Sequence, residues 1–236
     1  PLWRTFFRGC GFRVVLSPET NRDIVRKGFD AIVAEPCFPI IVAHGHVAAL
    51  IEQNVDYIWL PNLLTSEERD PELNSYVCPW GSTLPFVVRQ SPKFRDWHSR
   101  ILCPTLDFQA GWQRAEQALV RMVRELGVSA RRARAAFAAA RTAQERFRTA
   151  YHEAGRAALE QLREADAPGM VLVGRPYNMH DGGVSLSVGR KLRDLYGVNV
   201  IPVDALPLTG IDIRDVADNM YWTYGRRILA AGKLVA

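Results

Sequence analysis

Three of the four cysteines in the 236-residue chain are followed by a proline, either directly or after one residue. The pattern occurs at Cys37 in EPCFPIIV, at Cys78 in VCPWG and at Cys103 in LCPTL. Proline is well tolerated in the first turn of a helix, so a cysteine just before it is predicted to lie at the helix N-cap. Free N–H groups and the helix dipole favour the thiolate there, and the thiolate is the form that binds metals.

These three thiols are predicted to come together in space although they are far apart in the sequence. Cys37 and Cys103 each follow a predicted strand, and the loops at the carboxyl ends of parallel strands meet at one crevice. The spacing differs from zinc ribbons and compact ferredoxin motifs, which use closely spaced pairs. Two interpretations remain open: three irons of a [4Fe–4S] cluster held by separate loops, with the fourth iron open, or three small apolar core residues.

Other candidates in the amino-terminal half are a fourth cysteine and the titratable residues around Cys37. Cys10 lies in GCGF at a predicted helix end, lacks the proline and is predicted to be structural. Glu35 is either a carboxylate that supports a metal ligand or transfers a proton, or a solvated loop residue. His44 and His46 are two residues apart on a predicted helix and so point to different faces. One of them, His44, is a candidate neighbour of the thiols, although helix packing is the more common role.

A second candidate site is the sequence GRPYNMHDGG, which follows an apolar strand and precedes a predicted helix. Such a turn can present backbone N–H groups to a phosphate or carboxylate, and Gly182 and Gly183 allow a close approach. Arg175 is predicted to pair with an anionic group of a ligand, with Tyr177 and Asn178 as hydrogen-bonding partners. The alternative is an ordinary turn in which Arg175 forms a structural ion pair.

Alternating apolar strands and helices are predicted to position both candidate sites. The first half is predicted to have strands at residues 12–17, 30–35, 55–61 and 99–104, and helices at 2–8, 20–28, 39–53 and 82–90. The second half is predicted to have strands at 170–174 and 198–204, a helix at 184–195 between them, and one last helix. Thr20, with Asp23 three residues later, is predicted to cap the second helix. This alternation is typical of a parallel sheet covered by helices on both faces, and so of an α/β fold.

Residues 112–162 have a helical pattern and are rich in arginine. Between Trp112 and Arg163 the chain has 11 arginines, no lysines and 5 glutamates, a net charge of +6, against +5 for the whole chain. Ser129 is predicted to cap the second of two helices here, after a break at LGVS. Few aromatics and no recognised motif argue against nucleic-acid binding. A solvated face is favoured, and a docking surface for an acidic partner stays open.

Composition and element order predict two Rossmann-like α/β lobes with parallel sheets, joined by the long Arg-rich helical segment. The predicted parts are a first lobe at residues 1–111, a helical connector at 112–167 and a second, truncated lobe at 168–236.

Apolar residues make up 48% of the chain and charged residues 23%, which is ordinary for a globular protein. No apolar run reaches the roughly 18–20 residues of a membrane helix. The start is unlike a signal peptide, so a cytoplasmic protein with thiols or metal sites is expected.

Four stretches of the chain resemble the domain that accompanies CoA-substrate-specific enzyme activases, a relative of the 2-hydroxyacyl-CoA dehydratase and benzoyl-CoA reductase superfamily. They are FFRGCGFRVVLSPETN, EPCFPIIVAHGHVAALIEQNVDYIWLP, YVCPW and VLVGRPYNMHDGGVSLSVGRKLRDLYGVNVIPVD. Together they cover nearly the whole chain outside the Arg-rich helices, and CFPIIVAHGHV and GRPYN are specific. Similar proteins begin earlier and continue past the last helix. The chain is therefore expected to be a piece of a longer polypeptide.

The resemblance implies a fold, a cofactor and a partner. Dehydratase subunits of this kind have two α/β lobes and a [4Fe–4S] cluster held by three cysteines, which Cys37, Cys78 and Cys103 match. An ATP-dependent activase, in the same polypeptide or a separate one, reduces that cluster by one electron. A chain that is separated from the longer polypeptide is expected to have lost this cluster. The activase's own nucleotide-binding motifs are not visible in this sequence.

The function implied is that of an iron–sulfur redox domain of a 2-hydroxyacyl-CoA dehydratase-like or ATP-dependent reductase system. It would pass low-potential electrons to a CoA thioester or another small anionic substrate. One alternative is a non-catalytic electron-relay or partner-docking module of a larger activase. Another is a structural domain with zinc or with no metal. Neither a nucleic acid nor a membrane is an expected partner.

Overall fold

The computed structural model describes residues 1–68, 73–208 and 210–235, which alternate between helices and short strands. The α-helices are α1 (Leu2–Cys10), α2 (Arg22–Phe29), α3 (Phe38–Glu52), α4 (Pro79–Gln90), α5 (Trp112–Glu125), α6 (Ala130–Glu164), α7 (Pro176–His180), α8 (Val188–Tyr196), α9 (Arg214–Ala217) and α10 (Thr223–Val235). The strands are β1 (Ile58–Trp59), β2 (Asn62–Thr65), β3 (Ile101–Leu102), β4 (Thr105–Asp107), β5 (Gly169–Leu172) and β6 (Asn199–Pro202). The strands pair in parallel as β1–β3, β2–β4 and β5–β6, so a mixed α/β fold with parallel strands is confirmed.

The chain divides into two units, Pro1–Ala143 and Gln144–Ala236, and the long helix α6 runs across the division. Unit 1 has two apolar clusters. One is formed mainly by α1, α5 and the start of α6 around Phe6 and Leu119, and the other by α3, α4, β1 and β3 around Val88. Unit 2 has a cluster of its own. The predicted boundaries after residues 111 and 167 stay a prediction.

The two strand pairs of unit 1 form one interrupted ribbon. β1 pairs with β3, and the next strands along each segment, β2 and β4, pair in the same direction. The interruption spans Leu60 and Pro61 on one segment and Cys103 and Pro104 on the other, and a proline lacks the N–H that a ladder needs. The N–H of Asn62 donates to the carbonyl of Pro104 at 3.0 Å, so backbone pairing resumes directly after the gap.

Helices α2 and α3 approach each other closely through two glycines. A Cβ on Gly28 would lie 2.1 Å from the carbonyl oxygen of Ile41, and a Cβ on Gly45 would lie 1.9 Å from that of Ile24. Side-chain carbons do not come this close to backbone oxygens, so the contact requires glycine at both positions. Because α3 begins directly after Cys37, this contact fixes the helix on which that thiol sits.

Unit 2 contains the third parallel pair, β5–β6, and the turns that follow it. The turn after β6 buries Val203 and Leu206. Gly155 on α6 lies against this turn so closely that a Cβ there would be 1.9 Å from the carbonyl oxygen of Ala205. Because β5 and β6 are parallel, the loops that follow them leave the same edge of the pair.

Two predicted strands in the amino-terminal part are wrong. Residues 12–17 pair with no strand among the described residues, although Phe12 and Val14 pack against the core cluster of α1 and α5. Residues 30–35 form turns and bends, and the N–H groups of Ala31 and Ile32 donate back to Gly28. Apolar and β-branched residues suit any half-buried extended segment, and they do not require that the segment pair with a strand. In these two segments such residues occur without strand pairing.

The cap of α2 is also not the residue predicted from the sequence. The side-chain oxygen of Asn21 accepts the N–H groups of Asp23 at 2.9 Å and Ile24 at 3.1 Å. Thr20 lies one residue outside the cap, and its hydroxyl contacts Nε2 of His46 at 2.9 Å instead. Asparagine and threonine are both good N-caps, so only the point at which the helix starts decides between them.

The other helix boundaries agree only in part with those predicted from the sequence. Ser129 caps α6 as predicted, since its hydroxyl accepts the N–H of Arg132 at 3.3 Å. Helix α4 begins at Pro79 rather than near Ser82, because proline suits the first helical position. The predicted helix at residues 184–195 begins later, at α8, after the separate short helix α7. The predicted last helix is divided into α9 and α10.

Candidate thiol site and the loops after β5 and β6

Cys37 is the N-cap of α3, as its sequence pattern predicts. Its backbone is extended, with φ −60° and ψ 149°, and Pro39 stands in the first turn of the helix. The carbonyl of Cys37 accepts the N–H of Ile40 at 2.9 Å. The cysteine is exposed, and the adjacent Phe38 is 40% exposed. This thiol therefore lies at a solvent-facing helix start.

Cys78 is the N-cap of α4 and confirms the same pattern a second time. Its φ and ψ are −57° and 135°, Pro79 is the first helical residue, and the carbonyl of Cys78 accepts the N–H of Ser82 at 3.0 Å. The cysteine is half-buried. Trp80, in the first turn of the helix, is 40% exposed. Cys37 and Cys78 thus share a cap geometry and an exposed aromatic neighbour.

Cys103 has a different setting, inside the interrupted ribbon between β3 and β4. A guanidinium N–H of Arg89 donates to its Sγ at 3.3 Å. Arg89 lies in the last turn of α4, the helix that Cys78 caps, so one helix serves both thiols. Arg89 is not among the residues predicted from the sequence. Its position at the carboxyl end of a helix that starts at Cys–Pro was the available signal, since basic residues are favoured there.

Cys78 and Cys103 lie on the two segments that flank β2. Thr65 of β2 bridges Tyr76 on one side and pairs with Asp107 of β4 on the other. Cys78 follows Tyr76 by two residues, and Cys103 belongs to the same segment as β4. Neighbouring strands are about 4.8 Å apart, so the two backbones are roughly 10 Å apart across β2. Both cysteines are therefore near the start of that strand.

The three cysteines do not form a closed ligand set as they are placed. Within residues 1–68, 73–208 and 210–235, no three His, Cys, Asp or Glu side chains are grouped so that they could hold a metal ion. Cys78 and Cys103 are connected through β2 and α4. Cys37 stands on α3, and the contact of α3 with Val87 of α4 is made further along, at His44. Convergence of all three thiols stays a prediction.

Cys10 is placed as a core residue. It is only 4% exposed at the end of α1, in the cluster that contains Phe6 and Leu119. Burial raises the pKa of the Cys10 thiol, and the charge of the nearby Arg132 opposes this to a smaller extent. The protonated thiol is favoured, in keeping with the structural role predicted for it.

The residues predicted to support the thiols have separate environments. Glu35 is exposed. His44 is fully buried, its Nδ1 lies 2.8 Å from the carbonyl of Ile40 in its own helix, and its ring stacks on Phe94. Burial lowers the pKa of His44, against the carbonyls of Ile40 and Val87. These contacts are those of a helix-packing histidine, and Cys37 is seven residues earlier, about 10 Å along the helix axis.

The predicted ligand-binding residues of the GRPYN stretch lie at the start of α7. Arg175 is the N-cap, its guanidinium donates to the hydroxyl of Tyr177 at 2.9 Å, and it lies over the ring of Trp222 at 4.9 Å. Asn178 is exposed and its backbone N–H donates to the carbonyl of Arg175. Arg175 thus connects α7 to Trp222, the residue before α10.

The backbone N–H groups that were predicted to face an anion bind a carboxylate of the chain itself. One oxygen of Asp181 accepts the N–H groups of Gly183 and Val184, each at 2.9 Å. This turn lies between α7 and α8 and accounts for the late start of α8. An incoming phosphate would have to displace Asp181 from these two N–H groups.

A group of charged and aromatic side chains near this turn was not found from the sequence. Asp204, directly after β6, lies 3.2 Å from Nε2 of His180 and 2.8 Å from the guanidinium of Arg227. The Tyr151 ring packs edge-on against His180, with centroids 6.3 Å apart. Burial raises the pKa of Tyr224, beside Arg227, to about 12. Spacing gave no signal, because these residues come from four separate elements.

The parallel strand pairs define a protein of the mixed α/β class. The chain belongs to the family described as the CoA enzyme activase uncharacterised domain, whose sequence model matches residues 1–206. Comparisons with curated proteins and with solved structures give no match. Among the described residues, no helix is long and apolar enough to cross a membrane.

Proposed function

We propose that this domain is the iron–sulfur redox part of a CoA enzyme activase system, with Cys37, Cys78 and Cys103 as the cluster ligands. The observation that carries the proposal is the shared N-cap geometry of Cys37 and Cys78, together with the position of Cys103 across β2 from Cys78. Family membership supports the same system. The expectation that the chain forms two Rossmann-like α/β lobes belongs to this proposal as well.

The donor atoms suit such a group, since thiolates are the usual protein ligands of iron–sulfur clusters. A bound [4Fe–4S] cluster would accept and donate single electrons, here from an ATP-dependent activase to a CoA thioester or another small anionic substrate. The residues of this chain would hold the cluster at two helix starts and one strand gap. Arg89 would keep its N–H directed at the sulfur of Cys103. Loading would require the three loops to bring the thiols closer together, because no three His, Cys, Asp or Glu side chains among the described residues are grouped so that they could hold a metal ion.

Iron and sulfide analysis of the full-length polypeptide, purified without oxygen, tests this proposal. We expect the protein to absorb at about 400 nm, because it would contain an iron–sulfur chromophore held by thiolates. Cys37→Ser, Cys78→Ser and Cys103→Ser should each lower the iron content, because serine is a poor soft ligand. Cys10→Ser is the matched control and should leave the iron content unchanged. Equal iron in the parent and in all four variants would refute the assignment.

A second candidate is a non-catalytic docking or electron-relay module of a larger activase. It is favoured by the lack of a closed metal-ligand group among residues 1–68, 73–208 and 210–235. The arginines of the Arg-rich helices would contact an acidic partner, among them Arg121, Arg124 and Arg134, which line one depression together with Glu116 and Glu125. Arg121→Glu with Arg124→Glu should then weaken binding of the activase module without changing iron content. A substrate-dependent change in the electron paramagnetic resonance of the cluster would favour the first candidate instead.

A further inference from the structure

Helices α5 and α6 border a depression on the surface of unit 1, with a volume of about 620 Å³. Val120 of α5 is the apolar residue among those that line it, and it is 8% exposed. Leu119 and Val123 of α5 and Phe137 of α6 are buried in the same core cluster. Both helices are therefore anchored in the core, and the side chains that line the depression project from fixed backbone positions.

The charged residues of this depression include both signs, and two of them are placed symmetrically on α5. Glu116 and Arg124 lie four residues before and four residues after Val120. Residues spaced by four follow one stripe of a helix, so each charge is about 6 Å along the axis from Val120. The stripe on α5 thus has an acidic end and a basic end with an apolar residue halfway.

Glu116 and Arg124 have no partner of opposite charge within their own chain. Neither side chain makes an ion pair or a hydrogen bond with another residue that the structure describes. The positions three and four residues away hold no basic side chain around Glu116 and no acidic side chain around Arg124. Arg121, three residues before Arg124, has the same sign as Arg124. Both charges can therefore pair with groups on another molecule.

A second copy of α5, oriented antiparallel about a two-fold axis at Val120, would complement both charges. Positions equally far from Val120 on opposite sides then face each other, which places Glu116 of each copy beside Arg124 of the other. A two-fold contact requires a self-complementary surface of this kind. The stripe follows the ridge of residues spaced by four, which forms the commonest class of helix packing.

The rest of the depression suits a facing helix that has both charges. Its side chains would enter the depression beside Arg134 of α6, so α6 would contribute to the contact as well. In each copy three arginines line the depression with two glutamates, so net charge alone gives no attraction between two copies. The contact depends instead on the reciprocal placement of opposite charges, which fixes the register of the two helices.

We propose that α5 is a self-association surface of this domain, where two copies pack antiparallel across Val120 and form two ion pairs between Glu116 and Arg124. This contact does not depend on whether unit 1 binds an iron–sulfur cluster. It also needs no other protein, which distinguishes it from the contact of the same arginines with an acidic partner of different sequence.

Sedimentation velocity of the full chain over a dilution series tests the proposal. We expect a monomer–dimer equilibrium that shifts toward the monomer as salt is added, because salt screens charges at a surface. Glu116→Arg and Arg124→Glu should each weaken the dimer roughly tenfold or more, since each places two pairs of like charges in the contact. An equimolar mixture of these two variants should associate about as tightly as the parent, because every facing pair then has opposite charges.

Arg146→Glu and Glu153→Arg are the matched controls, since both residues are exposed on α6 and neither lines the depression. Both controls should dimerise like the parent. A parent chain that stays monomeric throughout the series, or a mixture of the two α5 variants that does not associate, would overturn the proposal. If either charge reversal prevents folding, Glu116→Gln and Arg124→Gln decide: each should weaken the dimer, and unchanged association of both overturns it.

Discussion

At the residue scale, the four cysteines differ mainly in burial. Cys37 is exposed at a helix start, Cys78 and Cys103 are half-buried, and Cys10 is enclosed in the core of unit 1. Burial raises the pKa of the Cys10 thiol, so its reactive thiolate forms less readily than that of an ordinary cysteine. Side chains of one type thus have different chemistry because the fold covers them differently.

The order of thiol alkylation follows from this difference. In the native chain, iodoacetamide should modify Cys37 first and Cys10 last, because Cys37 is exposed, whereas Cys10 is buried and burial raises the pKa of its thiol. Mass spectrometry of peptides taken at successive times measures the order. The same experiment in urea is the control and should make the rates similar. Equal rates at Cys10 and Cys37 in the native chain would contradict the burial described for Cys10.

His44 should make stability depend on pH. Burial lowers its pKa below the ordinary value of 6.5. The unfolded chain therefore binds a proton at a higher pH than the folded chain. Stability should fall as the pH drops below about 6.5 toward the folded-state pKa, and should be fully present above that range.

Urea unfolding of the parent and of His44→Gln between pH 5 and 7.5 (approximately) measures this effect, since stability rises with pH wherever the unfolded state holds more protons. The variant should be less stable at neutral pH, because it disturbs a fully buried position. Its stability should also change less steeply below pH 6.5 than that of the parent. Identical pH slopes in the two proteins would show that His44 does not cause the dependence.

At the element scale, α4 and the α2–α3 pair organise the thiol region. Helix α4 begins after Cys78 and ends near Arg89, whose guanidinium reaches Cys103. Helix α3 begins after Cys37 and is held against α2 by the close contacts at Gly28 and Gly45. Two helices therefore connect all three cysteines to the core of unit 1.

Alanine at the two contact glycines should be strongly destabilising. The new Cβ of Gly28→Ala or Gly45→Ala would lie about 2 Å from a carbonyl oxygen of the facing helix, so the helices must separate. We expect each change to lower the free energy of unfolding by about 1–3 kcal/mol, the usual effect of adding a methyl group to a tightly packed contact. Gly232→Ala is the control, because nothing lies within 4 Å of that Cβ in α10. The free energy of unfolding of this variant should rise by roughly 0.5–1 kcal/mol, because alanine has a higher helix propensity than glycine. Thermal and urea unfolding measure these changes, and similar stability of all three variants would contradict the close contact.

At the scale of the whole molecule, each unit has its own buried cluster. Leu119 belongs to the core of unit 1 and is fully buried, and Leu206 belongs to the core of unit 2 and is 1% exposed. The helix α6 contributes to both clusters from its two halves. A substitution that removes packing in one core should therefore destabilise that unit before the other.

Hydrogen exchange of two leucine variants tests this expectation. Leu206→Ala should speed exchange in β5, β6 and α10, and Leu119→Ala should speed it in α1, α5 and β4, since each removes buried apolar volume worth about 2–5 kcal/mol. Each variant is the control for the other. Mass spectrometry of peptic peptides measures the rates, and equal acceleration in both units would contradict separate cores.

The sequence by itself determined the features that depend on neighbours along the chain. The Cys–Pro pattern predicted the N-caps at Cys37 and Cys78, Ser129 predicted the start of α6, and the alternation of elements predicted parallel strands. The resemblance to the activase-associated domain was confirmed over residues 1–206. Such features are local because proline, capping side chains and helix termini interact over only a few residues.

The tertiary structure alone decided which groups meet across long distances. Residues 12–17 have a strand-like pattern but no strand partner among the described residues, and apolar patterning cannot specify a partner. Arg89 at Cys103, and Asp204 between His180 and Arg227, join residues from separate elements with no common spacing. Their chemistry depends on burial and on neighbouring charges, which arise only when the elements pack together.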